Sequence, residues 1–152
     1  MVSATEPLFD DLYRETLLEH YRSPRNRGRL EAPTHHAEGL NPVCGDEIRI
    51  DLRMDGDRIA EIAFDGQGCS ISQSTASMMS VEILDRPVEH AMAVQQAFEA
   101  MLTAGAEPSA ILGDLEALQG VSKFPVRIKC ALLAWKVLAE SLKSPNKEET
   151  HD

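Results

Sequence analysis

Residues 47–64 read EIRIDLRMDGDRIAEIAF, and this stretch decides the fold. Ile48, Ile50 and Leu52 alternate with Arg49, Asp51 and Arg53. That period of two places one face of a strand on a core and the other in water. Asp55-Gly56 interrupts the pattern, which resumes through Ile59 and Ile62. An acidic residue and a glycine between two alternating runs signal a hairpin, because a tight turn uses positive φ that glycine adopts without strain. The stretch therefore predicts antiparallel strands over 47–54 and 58–64. Upstream, 37–41 supplies a short first strand, broken by Asn41-Pro42.

Helical spacing surrounds this hairpin. Leu8, Leu12, Leu17, Leu18 and Tyr21 predict a helix over 8–21, stopped by Ser23-Pro24 and the turn residues 26–28. After the hairpin comes a Gly-rich turn at 65–68. Helices are expected over 70–84 and 88–102, a shorter one over 109–118, and a long one over 125–142. Pro125 opens the last, at a position where its missing N–H costs nothing. The polar residues 143–152 are expected to fray. Strands early and helices late predict an α+β fold, with a small antiparallel three-stranded sheet packed on one face by helices.

The chain has 152 residues, which fits one domain spanning 1–152 and a core that needs no disulfides. No apolar run approaches the roughly 18 residues of a membrane span. Residues 1–11 are acidic and lack the basic-then-apolar layout of a signal peptide, so a cytoplasmic protein with reduced thiols is expected. The net charge of −10 argues against nucleic acid as the main partner, since phosphate binding needs a clustered basic surface. No membrane partner is expected.

Three cysteines in such a chain point to metal binding or thiol chemistry rather than a disulfide framework. Cys44 and Asp46 flank Gly45 in the loop before the hairpin. If that loop is extended, residues two apart face the same side. Cys69 follows the Gly-rich turn at a helix start, where the backbone dipole favours a thiolate. Cys130 lies near the start of the last helix. Three cysteines and one carboxylate meet the count of a tetrahedral zinc site, and thiolates also hold iron–sulfur clusters. Singly, each residue has a plainer reading: a buried thiol beside Ala131, Leu132 and Leu133 for Cys130, a turn or cap for Asp46.

Other residues carry weaker signals. His35 and His36 fall in a polar loop and are expected to be solvated, while His20 and His90 should be half-exposed on helices. Arg25, Arg27 and Arg29 form either a solvated turn or a docking patch for an acidic surface. Arg127 and Lys129 are either a charged helix face or groups that lower the pKa of a neighbouring thiol. Trp135 and the leucines around it should be core.

Four segments in combination carry a stronger signal: LLEHYRSPRNRG (17–28), NPVCGDEI (41–48), FDGQGCSIS (64–72) and FPVRIKCALLAWKVL (124–138). Together they resemble the NifU/IscU-like family of iron–sulfur cluster assembly proteins, in the family's order and over most of the chain. Within it the chain is most similar to the SufU-type branch of zinc-dependent sulfurtransferases. Lys129 stands before the third cysteine where cluster scaffolds carry histidine, and the segment between Cys69 and Cys130 is longer, with the extra length placed between 99 and 121. The resemblance implies one zinc per chain on Cys44, Asp46, Cys69 and Cys130, with Cys44 as sulfur acceptor. It implies a SufS-type cysteine desulfurase, a pyridoxal-phosphate enzyme, as donor and an iron–sulfur assembly scaffold downstream. Two alternatives stay open: a scaffold holding a [2Fe–2S] cluster on the same cysteines, and a structural zinc module that only regulates a partner. A charged lysine ammonium is a poor ligand, which weighs against the scaffold role.

Overall fold

A computed structural model of the chain describes residues 5–145, and residues 5–13 by their backbone alone. In order they form α1 (Thr5–Arg22), β1 (His35–Asn41), β2 (Asp46–Asp55), β3 (Arg58–Gln67), α2 (Ser70–Ile83), α3 (Val88–Thr103), a 3-10 segment (Ala110–Lys123) and α4 (Pro125–Leu142). The three strands make one antiparallel sheet in the order β1-β2-β3. The alternation read in 47–64 is the cause. Ile48, Ile50 and Leu52 of β2, with Ile59, Ile62 and Phe64 of β3, turn to one face and are buried. Burying each such side chain stabilises the fold by about 1.5–3 kcal/mol. The opposite face carries cross-strand ion pairs in register, Glu38 with Arg49 and Arg53 with Glu61.

Helices cover the apolar face. α4 lies on β1 and β2, and α2 lies on β3 and α4. Trp135 is buried on α4, its ring 6.0 Å from that of Phe98. The β2–β3 connection is the tight turn foreseen, with Gly56 at φ 65°. No helix among the described residues is long and apolar enough to cross a membrane. The expected frayed tail falls largely outside the described residues, which end at Pro145.

Several local expectations need correction. β1 begins two residues earlier than 37, because His35 and His36 pair with Leu52 and Asp51 and the His36 N–H donates to the Ser144 carbonyl. Both histidines are therefore half-buried strand residues, not solvated loop residues. His20 is buried rather than half-exposed. Its Nδ1 lies 2.7 Å from Ser77 Oγ and its Nε2 lies 2.9 Å from Asp114 Oδ2, which ties α1 to α2 and to the 3-10 segment. His90 is half-buried, as expected.

The short helix expected over 109–118 is a longer 3-10 segment, kinked at Gly113 (φ 54°, ψ −133°). Its buried residues Leu112, Leu115, Leu118 and Val121 recur every third position. That spacing suits three residues per turn, where side chains three apart eclipse. The arginines of 25–29 each have an acidic partner within the fold and keep exposed side chains. Arg25 pairs with Glu19, Arg27 with Asp65 and the Phe64 ring, and Arg29 with the buried Asp51.

Candidate metal centre

The loop that carries Cys44 is a tight turn and is not extended. β1 ends and β2 begins with the pair Asn41 and Asp46, so four residues must reverse the chain. The Asn41 carbonyl accepts from the N–H of Cys44 at 3.2 Å and of Gly45 at 2.8 Å. Gly45 sits at φ 73°, which makes the reversal strain-free. Cys44 is left half-buried on the turn, while Asp46 becomes the first residue of β2 and is buried.

The second segment enters from β3. Cys69 is the N-cap residue of α2, with extended backbone, and its N–H donates to Asp46 Oδ1 at 2.8 Å. This close approach depends on Gly68 at φ 145°. A Cβ there would stand 2.4 Å from Asp46 Oδ1 and 2.8 Å from its Cα. Cys69 Sγ lies 3.9 Å from Asp46 Oδ2.

The third segment is the start of α4. Pro125 opens the helix, and Cys130 falls one turn further on, fully buried beneath the β1–β2 turn. Its Sγ lies 3.0 Å from Cys44 Sγ, and the Asn41 Nδ2–H group faces it at 3.7 Å. Burial pushes the Cys130 thiol far up from its ordinary range, reinforced by the neighbouring Cys44, Asp46 and Cys69. Arg127 and Lys129 are exposed.

A protonated, buried thiol is a poor nucleophile. In metal-free, folded protein at neutral pH, iodoacetamide should therefore modify Cys44 and Cys69 first, with Cys130 slower by about tenfold or more. Peptide mass mapping over time reads the three rates. Equal rates would contradict the burial of Cys130.

The donor atoms of Cys44, Asp46 and Cys130 all lie within 4.8 Å of one another, and they form such a group among the described residues. Around zinc, ligand bonds of about 2.0–2.3 Å in a tetrahedron separate donor atoms by roughly 3.5–3.8 Å. Two thiols and one carboxylate gathered within 4.8 Å fit a zinc ion by donor chemistry, and the two sulfurs, 3.0 Å apart, would have to part by about 0.7 Å to reach tetrahedral spacing. Cys69 stands beside the group through Asp46 but outside the mutually close three. The structure thus brings three of the four sequence candidates together and sets the fourth next to them. Asn41, read in the sequence only as half of a strand-breaking Asn-Pro pair, turns out to be buried against Asp46 and Cys130.

Exposed apolar side chains stand near the site residues along the chain. Leu40 and Val43 border the turn that holds Cys44, and Phe124 and Val126 flank the start of α4. All four are more than half exposed.

Comparison with known proteins places the chain among iron–sulfur cluster assembly proteins. The family described as NifU-like N terminal domain matches residues 12–131. The chain is 45% identical over 134 residues to the zinc-dependent sulfurtransferase SufU of Bacillus subtilis (strain 168), covering 88% of this chain and 90% of that protein. It is 38% identical over 133 residues to the iron–sulfur cluster assembly scaffold protein IscU of Streptococcus pyogenes serotype M1, covering 87% and 83%. A crystal structure of a putative iron–sulfur cluster assembly scaffold protein for the SUF system from Fervidobacterium islandicum AW-1 superposes with a TM-score of 0.79 at 32% identity, over 84% of this chain and 94% of that one.

Proposed function

The chain belongs to the NifU-like N terminal domain family, and from that premise we propose that it is a SufU-type sulfur acceptor in iron–sulfur cluster assembly. The observation that carries the reading is the meeting of two thiols and a buried carboxylate from two separate segments, with Cys69 of a third beside them, on a chain 45% identical to a zinc-dependent sulfurtransferase. Cys44, Asp46 and Cys130 would hold one zinc ion, with Cys69 as the fourth ligand. Bound zinc would keep the cysteines deprotonated and polarise them.

Cys44 is the sulfur acceptor in this reading. It sits on a short turn at the protein surface, whereas Cys130 is buried on a helix and Cys69 is fixed at a helix N-terminus. The Cys44 thiolate attacks the outer sulfur of a persulfide on a cysteine desulfurase, a pyridoxal-phosphate enzyme. One sulfur–sulfur bond forms on Cys44 and one breaks on the donor, whose cysteine leaves as a thiolate. The exchange needs no oxidant or reductant. The exposed Leu40, Val43, Phe124 and Val126 supply apolar surface around the acceptor on which the donor can seat. The sulfur then passes to a downstream scaffold for cluster assembly.

The test is elemental analysis, with an absorbance spectrum, on protein purified without added metal and without oxygen. About one zinc per chain and no visible absorbance are expected for a closed thiolate–carboxylate site. Iron and sulfide with visible charge-transfer bands would move the function to a cluster scaffold. Zinc without persulfide on any cysteine, after incubation with the desulfurase and free cysteine, would reduce it to a structural module.

A further inference from the structure

Asn41 is the last residue of β1 and is 7% exposed. Its side chain reaches two members of the donor group at once. Nδ2 lies 3.4 Å from Asp46 Oδ2 and 3.7 Å from Cys130 Sγ. A carboxylate and a thiolate offer only acceptors, so the amide nitrogen, with two N–H groups, must be the atom that faces them. The backbone carbonyl of the same residue takes the N–H groups of Cys44 and Gly45. One residue therefore touches all three members of the close donor group, two through its side chain and one through its backbone.

We propose that Asn41 is a positioning residue of the metal centre, whose side-chain amide aligns the Asp46 carboxylate with the Cys130 sulfur and donates hydrogen bonds to both. The proposal rests on the metal-binding reading above. The physical need for such a group is clear from the other contacts. Asp46 Oδ1 is held by the Cys69 N–H, but that bond leaves rotation of Oδ2 to be fixed by its own partners. Cys130 Sγ has a helix carbonyl, Val126 O, at 3.8 Å, which accepts from a thiol and repels a thiolate. Asn41 is the neutral donor that suits the deprotonated form. It carries no charge that would compete with a cation for the same oxygen and sulfur. Partners of this kind, one step removed from the metal, change affinity about 10–100-fold when deleted.

The test uses Asn41→Leu, which has similar volume and no donor. The backbone carbonyl bonds that shape the turn remain in this variant, so it separates the amide from the turn. Asn41→Ser, shorter and polar, serves if the leucine variant folds poorly. The probes are zinc, titrated in competition with a chelator, and cobalt(II), whose absorption reports thiolate coordination. In both variants zinc affinity should fall about 10–100-fold and the thiolate-to-cobalt band should shift, a change in coordination that a modest loss of metal-free stability from the unpaired Asp46 oxygen does not by itself produce. Unchanged affinity and an unchanged cobalt spectrum overturn the proposal. So does a fall in metal-free melting temperature with an unshifted cobalt band, because that is the signature of a structural role. A parent protein that takes up neither ion overturns the metal reading and this proposal together. A parent that binds both, with variants that match it, overturns this proposal alone.

Discussion

Cys44→Ser should abolish sulfur uptake from a cysteine desulfurase. The substitution exchanges one atom on a half-buried turn residue, and the turn itself is built from backbone bonds to the Asn41 carbonyl that serine leaves intact. The metal-free fold should therefore change in stability by no more than about 1 kcal/mol. Chemistry changes far more. A serine hydroxyl is protonated at neutral pH and is not a nucleophile toward a persulfide, so no sulfur–sulfur bond can form at position 44. The measurement is the mass of the intact protein after incubation with desulfurase and free cysteine. The parent should gain the mass of one sulfur atom on Cys44, and Cys44→Ser should gain none. A variant that still takes up sulfur, or stimulates desulfurase turnover as the parent does, would move the acceptor role to Cys69, the other cysteine that is not fully buried.

Asp46→Ala should have the largest effect on stability. Asp46 is 1% exposed, and its one carboxylate holds the start of α2 and the end of β1. Oδ1 accepts the N–H of Cys69, and Oδ2 faces Asn41 Nδ2 and Cys69 Sγ. Alanine leaves the Cys69 N–H and the buried Asn41 amide without their acceptor, at a cost of about 1–3 kcal/mol for an unsatisfied buried group. In the zinc-binding reading it also removes a ligand. Metal that binds only the folded state adds about 4.1 kcal/mol of stability at a thousandfold excess over its Kd, and the variant forfeits most of that. Melting curves with and without chelator separate the two losses. The parent should lose stability on chelation and the variant should not, starting already lower. Equal zinc content and equal melting temperature would remove Asp46 from the ligand set.

Much of this molecule is legible without coordinates, for local physical reasons. The period of two in 47–64 and the Gly56 turn specify a hairpin with its apolar face, because a strand's side chains alternate whatever lies around it. Pro125 marks the start of α4 for the same kind of reason, since its fixed φ suits the first helical turn. Even the 3-10 segment had a readable sign in the spacing of three from Leu112 to Val121, although the expected helix was shorter and of the ordinary kind.

What depends on distant partners was not legible. His20 looks like a helix-surface residue until Ser77 and Asp114, 57 and 94 positions away, close over it. Cys44 and Asp46 lie two apart and the combined segments pointed to them and to Cys130, but the meeting with Cys130, 86 positions beyond Cys44, depends on α4 crossing beneath the β1–β2 turn. Asn41 has the least sequence signal of all. An asparagine before proline reads as a strand end, and only the packing of Cys130 against that end, 89 positions later, turns its amide toward the site. Periodicity and turn chemistry act between neighbours in the chain, so the sequence displays them directly. Ligand geometry acts between neighbours in space, and the fold must form before those neighbours exist.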